Sequence, residues 1–220
     1  MLNRHGSAGR VAEINAASVV IAREAFGERE GYVLGDMGPF GGLLEPYGDV
    51  GASAVYDSFR RQMEALIGAG VDCLVVETMT DLAEAKLAVR AAKDVSSAVP
   101  VLATMTFDAT PRGYFTIMGV SVAAAAAGLA EAGADAVGSN CGNGIEHLVA
   151  IAREFRRHTT LPLVIQANAG LPRSVDGRTV YDETPAFFAE QARGLAELGV
   201  SVIGGCCGTT PDHIRAMARA

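Results

Sequence analysis

The chain has 220 residues, half of them apolar and 20% charged, enough for one sizeable core and unlike a disordered or fibrous polymer. Its net charge of −7, from 25 acidic and 18 basic side chains, argues against a nucleic-acid surface or a polybasic membrane patch, both of which need a concentrated positive field. The longest bland stretch, Val122 to Ala127, ends at Gly128, far short of a membrane span, and the opening Met1-Leu2-Asn3-Arg4-His5-Gly6 lacks an apolar signal core, so a cytoplasmic location is expected.

In chain order, helical periodicity over Val11–Ala25 precedes a strand-length apolar run at Tyr32–Gly35. The alternation then repeats: helix Val55–Ala69, strand Cys73–Glu77, helix Leu82–Lys93, strand Val101–Met105, helix Val120–Ala132, strand Ala136–Ser139. Helix Ile145–Arg157, strand Leu163–Ala167, helix Pro185–Leu198 and strand Val202–Gly204 follow. A last helix starts at Pro211, with Thr210 as its N-cap and proline at the first helical position. The strands are nearly continuously apolar, as expected for parallel strands buried on both faces. No low-complexity linker interrupts the alternation, so residues 1–220 read as a single α/β domain with parallel pairing.

Gly70-Val71-Asp72, Gly133-Ala134-Asp135 and Gly199-Val200-Ser201 form a weak repeat, each closing a helix and opening a strand. A (β/α) barrel and a doubly wound sheet would both produce it. Seven or eight positions after each glycine stand Glu77, then Asn140 and Cys141, then Cys206 and Cys207. All five therefore fall at the carboxyl ends of strands, where both folds place their chemistry.

Four cysteines are too few for a disulfide scaffold. Cys206 and Cys207 are adjacent within Gly204-Gly205-Cys206-Cys207-Gly208. In a regular strand their side chains would point to opposite faces, but flanking glycines permit a backbone that lets both sulfurs converge. With Cys141, in Gly138-Ser139-Asn140-Cys141-Gly142, three thiols from two strand ends suit one borderline cation, above all zinc. Three protein ligands leave a position for substrate, and three thiolates blunt the metal's power over water, which favours thiol alkylation over hydrolysis. The competing readings are buried core cysteines, which is the expectation for Cys73, and a vicinal disulfide.

Gly204-Gly205-Cys206-Cys207-Gly208-Thr209-Thr210-Pro211 with His213, together with Asn140-Cys141, resembles the cysteine motifs of zinc-dependent homocysteine S-methyltransferases. The similarity extends through Gly35-Asp36-Met37-Gly38-Pro39, Glu77-Thr78-Met79 and Asn168-Ala169-Gly170-Leu171-Pro172, and so covers most of the chain. The resemblance implies a (β/α)8-type barrel in which Cys141, Cys206 and Cys207 hold Zn2+, and Glu77 and Asn168 help hold the amino acid head of homocysteine. Residue chemistry agrees: a carboxylate suits the ammonium, and an amide can serve either group. Against this, Glu77 could cap the helix after Asp81, and Asn168 could make its own turn.

The implied reaction is methyl transfer to the homocysteine thiol, giving methionine, with folate, betaine, S-methylmethionine or a methyl-corrinoid as donor. The loop Phe107–Phe115 and the Asp176-Gly177-Arg178 turn are expected at the chemical rim, where either could meet that donor. The alternatives are a related corrinoid- or other-thiol-dependent methyltransferase, or an inactive zinc-binding fragment. Family members open with two further βα units, the first carrying an Asp-Gly-x-x-Gly-Thr type motif. The present start resembles the interior just after the second strand. Six βα units in an incomplete barrel are therefore expected, with open edges at the Tyr32 and Val202 strands that invite self-pairing and a possible oligomer.

Overall fold

The computed structural model describes residues 6–220; Met1 to His5, on which the reading of the N-terminus rests, lie outside the described residues. The strands in chain order are β1 (Leu34–Met37), β2 (Cys73–Met79), β3 (Val101–Met105), β4 (Asp108–Thr110), β5 (Gly113–Phe115), β6 (Ala136–Gly144), β7 (Leu163–Asn168), β8 (Arg173–Val175), β9 (Arg178–Val180) and β10 (Val202–Gly205). Six of them form one parallel sheet in the order β1-β2-β3-β6-β7-β10. Spatial order follows chain order without reversal, as in a barrel and unlike a doubly wound sheet. Among the described residues β1 and β10 pair with one neighbour each, so the sheet is a half-barrel.

The helices are α1 (Val11–Phe26), α2 (Ala52–Gly68), α3 (Leu82–Val95), α4 (Val122–Ala132), α5 (Ile145–His158), α6 (Pro185–Glu197) and α7 (Pro211–Met217). Side chains alternate along each strand, so the sheet has two faces. One face packs with the helices in the main core, through Met37, Leu74, Val76, Val137 and Ile165. The other forms a smaller cluster of Val75, Leu102, Ala136 and Val164, with Cys73 against it. Cys73 is thus packing material, as expected. Several helix starts are set locally: Asp81, Ser121 and Thr184 each accept a backbone N–H of the first turn, a cap worth about 1 kcal/mol. Thr210 caps α7, with Pro211 in its first turn. No helix among the described residues is long and apolar enough to cross a membrane.

The glycine repeat has a clear structural meaning. Gly70, Gly133 and Gly199 take φ of 86°, 101° and 70°, a left-handed conformation that side chains disfavour. After each, the next N–H reaches back into the helix, from Val71 to Leu66, Ala134 to Leu129 and Val200 to Leu195, closing a Schellman-type end. Asp72 and Asp135 then accept the N–H groups of Val33 and Val101 and pair with Arg23 and Lys93. The repeat thus pins the amino end of the sheet and leaves the carboxyl end for the loops.

Four details differ from expectation. β1 starts at Leu34 rather than Tyr32, because the Val33 N–H bonds the Asp72 carboxylate and Tyr32 stands 78% exposed. The edge strands are not covered on both faces: Leu34 and Val202 are 37% and 39% exposed, since each lacks a neighbour on one side. β6 runs on past Ser139 to Gly144, through a register shift after Asn140. The loops Phe107–Phe115 and Arg173–Val180 carry two-stranded hairpins, β4–β5 and β8–β9.

Candidate functional site

At the carboxyl end of β6 the chain breaks its pleat. Cys141 takes φ of 61° and Gly142 φ of 72°, so the register with β7 shifts and the Cys141 thiol stands on the rim. A non-glycine residue in this region costs about 1–2 kcal/mol and persists only where neighbours hold it. Here they do. Thr106 donates its hydroxyl to the Asn140 carbonyl at 3.0 Å, and Asn143 donates its amide to the Phe107 carbonyl at 2.7 Å.

The second loop leaves β10 through Gly205. The Cys206 N–H donates to the Ala167 carbonyl at 2.7 Å, and the Cys207 N–H to the Asn168 side-chain oxygen at 3.0 Å. Gly208, at φ 78°, lies so close to Tyr181 that an added Cβ would fall 2.2 Å from its ring. This turn brings the adjacent sulfurs to 4.0 Å from each other. Cys141 Sγ lies 3.9 Å from Cys207 Sγ, and all three sulfurs fall within 4.8 Å of one another. Bonds of about 2.3 Å in a tetrahedron place sulfurs roughly 3.8 Å apart, so the trio fits one metal ion with little movement. The glycine-flanked pair converges as its sequence implied.

The thiols share their protons unequally. Interaction with Cys206, helped by the Gly142 N–H and the Asn168 and Cys207 groups, pushes Cys141 well below the usual thiol range, against the opposing effect of burial. The same contact and burial push Cys206 up. A trio that already stabilises one thiolate is a suitable donor set for a soft or borderline cation.

Glu77 and Asn168 lie on the same rim. Burial first, then the like charges of Asp36 and Cys141, push Glu77 up to about 7. No lysine or arginine pairs with Glu77 or Asp36 among the described residues, so this end of β1 and β2 is acidic. Asn168 is buried, its oxygen committed to Cys207 and its amide to Cys141; Glu77 does not take the capping role open to it, since Asp81 caps α3 itself.

Two residues gained roles that sequence reasoning did not assign. Asn140, fully buried, accepts the Thr78 N–H and the Thr104 hydroxyl, donates to the Thr78 hydroxyl, and points its amide at Cys206 Sγ from 3.9 Å. Its position beside Cys141 was the signal available. Asp36 lies within the Gly35–Pro39 motif, and its effect on Glu77 depends on β1 and β2 being neighbours. The Tyr114 hydroxyl of β5 lies 3.1 Å from His147 Nδ1, tying that hairpin to α5.

A family model described as homocysteine S-methyltransferase matches residues 2–220. The chain is 33% identical over 229 residues to the methionine synthase of Mycobacterium leprae (strain TN), an alignment covering 100% of this chain and 19% of that protein. It therefore spans about a fifth of that relative's length. The homocysteine methyltransferase MmuM from Escherichia coli superposes in its metallated form with a TM-score of 0.75 at 25% identity, over 95% of this chain and 71% of that one. Its oxidized form gives 0.77 at 25% identity, over 100% and 75%. With the sequential half-barrel and the cysteine trio at its carboxyl rim, these likenesses establish that the chain belongs to the homocysteine S-methyltransferase family.

Proposed function

We propose that this chain is a zinc-dependent methyltransferase that moves a methyl group from a donor to the thiol of homocysteine, giving methionine, with Cys141, Cys206 and Cys207 as the zinc ligands. The observation that carries this reading is the convergence of three thiols within 4.8 Å of one another in a member of this family. The metallated form of MmuM supports the presence of a metal. We further propose that residues 1–220 act as one domain, in the cytoplasm, where thiols stay reduced.

Bound zinc would supply the Lewis acidity that keeps an incoming thiol deprotonated near neutral pH. The chain's own residues then orient the substrate. Glu77, whose carboxyl is pushed up to about 7 by burial and by Asp36 and Cys141, would be drawn to its ionised form by the substrate ammonium and pair with it. Asn168, held by the Cys207 N–H, keeps its amide directed at the sulfur trio and the adjoining substrate head. The homocysteine sulfur attacks the donor methyl carbon in line. Its S–C bond forms as the donor's bond to methyl breaks, and that electron pair leaves with the donor. Folate, betaine, S-methylmethionine and methyl-corrinoid are the donors to test, with the β4–β5 and β8–β9 hairpins as the proposed contacts.

Purified chain with stoichiometric zinc, supplied with homocysteine and each donor in turn, should form methionine with at least one. Zinc-loaded protein that turns over none of the four would sink the reading. Related corrinoid- or other-thiol-dependent transfer would show as turnover with a different acceptor. The open edges of β1 and β10 favour one further reading, a chain that holds zinc but turns over only when two more βα units are added. Activity appearing on that addition alone would select it.

A further inference from the structure

One residue outside the motifs hydrogen-bonds to the segments that follow β6, β7 and β10. Glu183 follows the β8–β9 hairpin and stands just before α6. Its carboxylate accepts the Ile145 N–H at 3.1 Å, at the start of α5 and just beyond the Cys141 turn. Its own N–H donates to the Ala169 carbonyl at 3.0 Å, and the Ala169 N–H donates in turn to the Cys207 carbonyl at 3.0 Å. Its carbonyl accepts His213 Nε2 at 2.9 Å. A carbonyl can only accept, so the proton sits on Nε2, and His213 Nδ1 accepts the Thr210 N–H at 3.1 Å. His213 is 6% exposed and edge-on to Phe188 at 5.5 Å between ring centroids.

Space has been cleared for this contact. A Cβ on Gly144 would lie 1.9 Å from Glu183 Oε1, and one on Gly170 would lie 3.3 Å from its Cγ. Gly144 has φ of −69°, which any residue can adopt, so the carboxylate alone accounts for the lack of room there. Burial raises the Glu183 carboxyl above its ordinary range, a cost accepted to keep this group between the loops.

We propose that Glu183, seated by His213, is a positioning residue that sets the metal affinity of Cys141, Cys206 and Cys207 by clamping their loops in register. The two ligand loops lie on strands separated by β7 and among the described residues share no backbone hydrogen bond of their own, so their relative placement depends on the groups that bridge them. This rests on the three cysteines being the metal ligands. Groups that orient ligands without touching the metal typically change affinity by about 10- to 100-fold.

The test is zinc affinity by chelator competition, with Co(II) thiolate absorption as a spectroscopic check, on the native chain, Glu183→Ala, Glu183→Gln, Gly144→Ala and a remote core control, Val19→Ala. Glu183→Ala and Gly144→Ala should each weaken zinc about 10- to 100-fold and alter the Co(II) band. Glu183→Gln, which retains an acceptor for Ile145, should stay within about threefold of native, since the hydrogen bond and not the charge does the clamping. Val19→Ala should lower thermal stability without changing zinc affinity. If Glu183→Ala does not fold, Gly144→Ala and Glu183→Gln decide the matter on their own. Native-like affinity in Gly144→Ala, or a loss in Glu183→Gln as large as in Gly144→Ala, would overturn the proposal. A native chain that gives no thiolate band with Co(II) would instead overturn the ligand assignment on which it rests.

Discussion

Asn140 and Thr78 exchange hydrogen bonds in both directions: the Thr78 N–H donates to Asn140 Oδ1 at 2.7 Å, and Asn140 Nδ2 donates to the Thr78 hydroxyl at 2.8 Å. Thr78 takes φ of 61°, unusual for a β-branched residue, so this exchange holds the end of β2, and with it Glu77, in a strained turn. Asn140→Ala would leave the half-buried Thr78 N–H and the buried Thr104 hydroxyl without their acceptor. Denaturant unfolding should show a loss of about 2–3 kcal/mol, whereas a loss under about 0.5 kcal/mol would mean the exchange is incidental.

The cysteines should separate cleanly by role. Cys141→Ala, Cys206→Ala and Cys207→Ala should each drop zinc well below one ion per chain in metal analysis. Cys73→Ala, on the inner face against Val75 and Val164, should keep full zinc and lose about 1 kcal/mol of stability at most. Zinc content insensitive to loss of Cys206 would remove the basis for the catalytic reading.

Glu77 gives a pH-dependent signature in the metal-free chain. Its folded pKa, about 7, lies above the ordinary value of 4.5, so the folded state favours its protonated form. The stability this contributes is complete below about pH 4.5 and is lost as pH rises through about 7. Glu77→Gln should therefore raise Tm relative to native above pH 7 and change it little at pH 4.5. An equal effect at both pH values would contradict the buried, acid-flanked setting. Under the proposed function, the same variant should also raise the KM for homocysteine in the zinc-loaded chain, through loss of the proposed ammonium partner.

Gly208 is the tightest point in the cysteine turn. Alanine there must take φ near 78° and displace the Tyr181 ring. Gly208→Ala should cost about 1–3 kcal/mol and weaken zinc binding, because Cys207 moves with the turn. Unchanged zinc affinity and Tm would show that Tyr181 simply swings away.

The half-barrel edges should associate. Leu34 on β1 and Val202 on β10 are exposed, and among the described residues each strand has one neighbour; apolar strand edges left unpaired recruit one another. Sedimentation should show mass rising with concentration, and Val202→Lys should reduce it. A concentration-independent monomer in the native chain would show that the edges are protected.

The helices, the alternation with parallel strands and the glycine-closed turns were legible from the sequence alone, because each depends on neighbours within one helical turn or on burial on both faces of a strand. So was the candidate metal trio, since Gly-Gly-Cys-Cys-Gly and Asn-Cys-Gly carry their backbone permissions beside the sulfurs. The barrel was legible only through the resemblance of the cysteine motifs, since a barrel and a doubly wound sheet present the same local pattern and differ in strand order, which the tertiary structure displays. Tertiary structure alone joined Asn140 to Thr78 and Thr104, set Asp36 beside Glu77, and brought Glu183 between loops from distant parts of the chain. These are hydrogen bonds and charge contacts between residues far apart in sequence. No periodicity or spacing encodes them; they exist only once parallel pairing has stacked the strand ends along one rim.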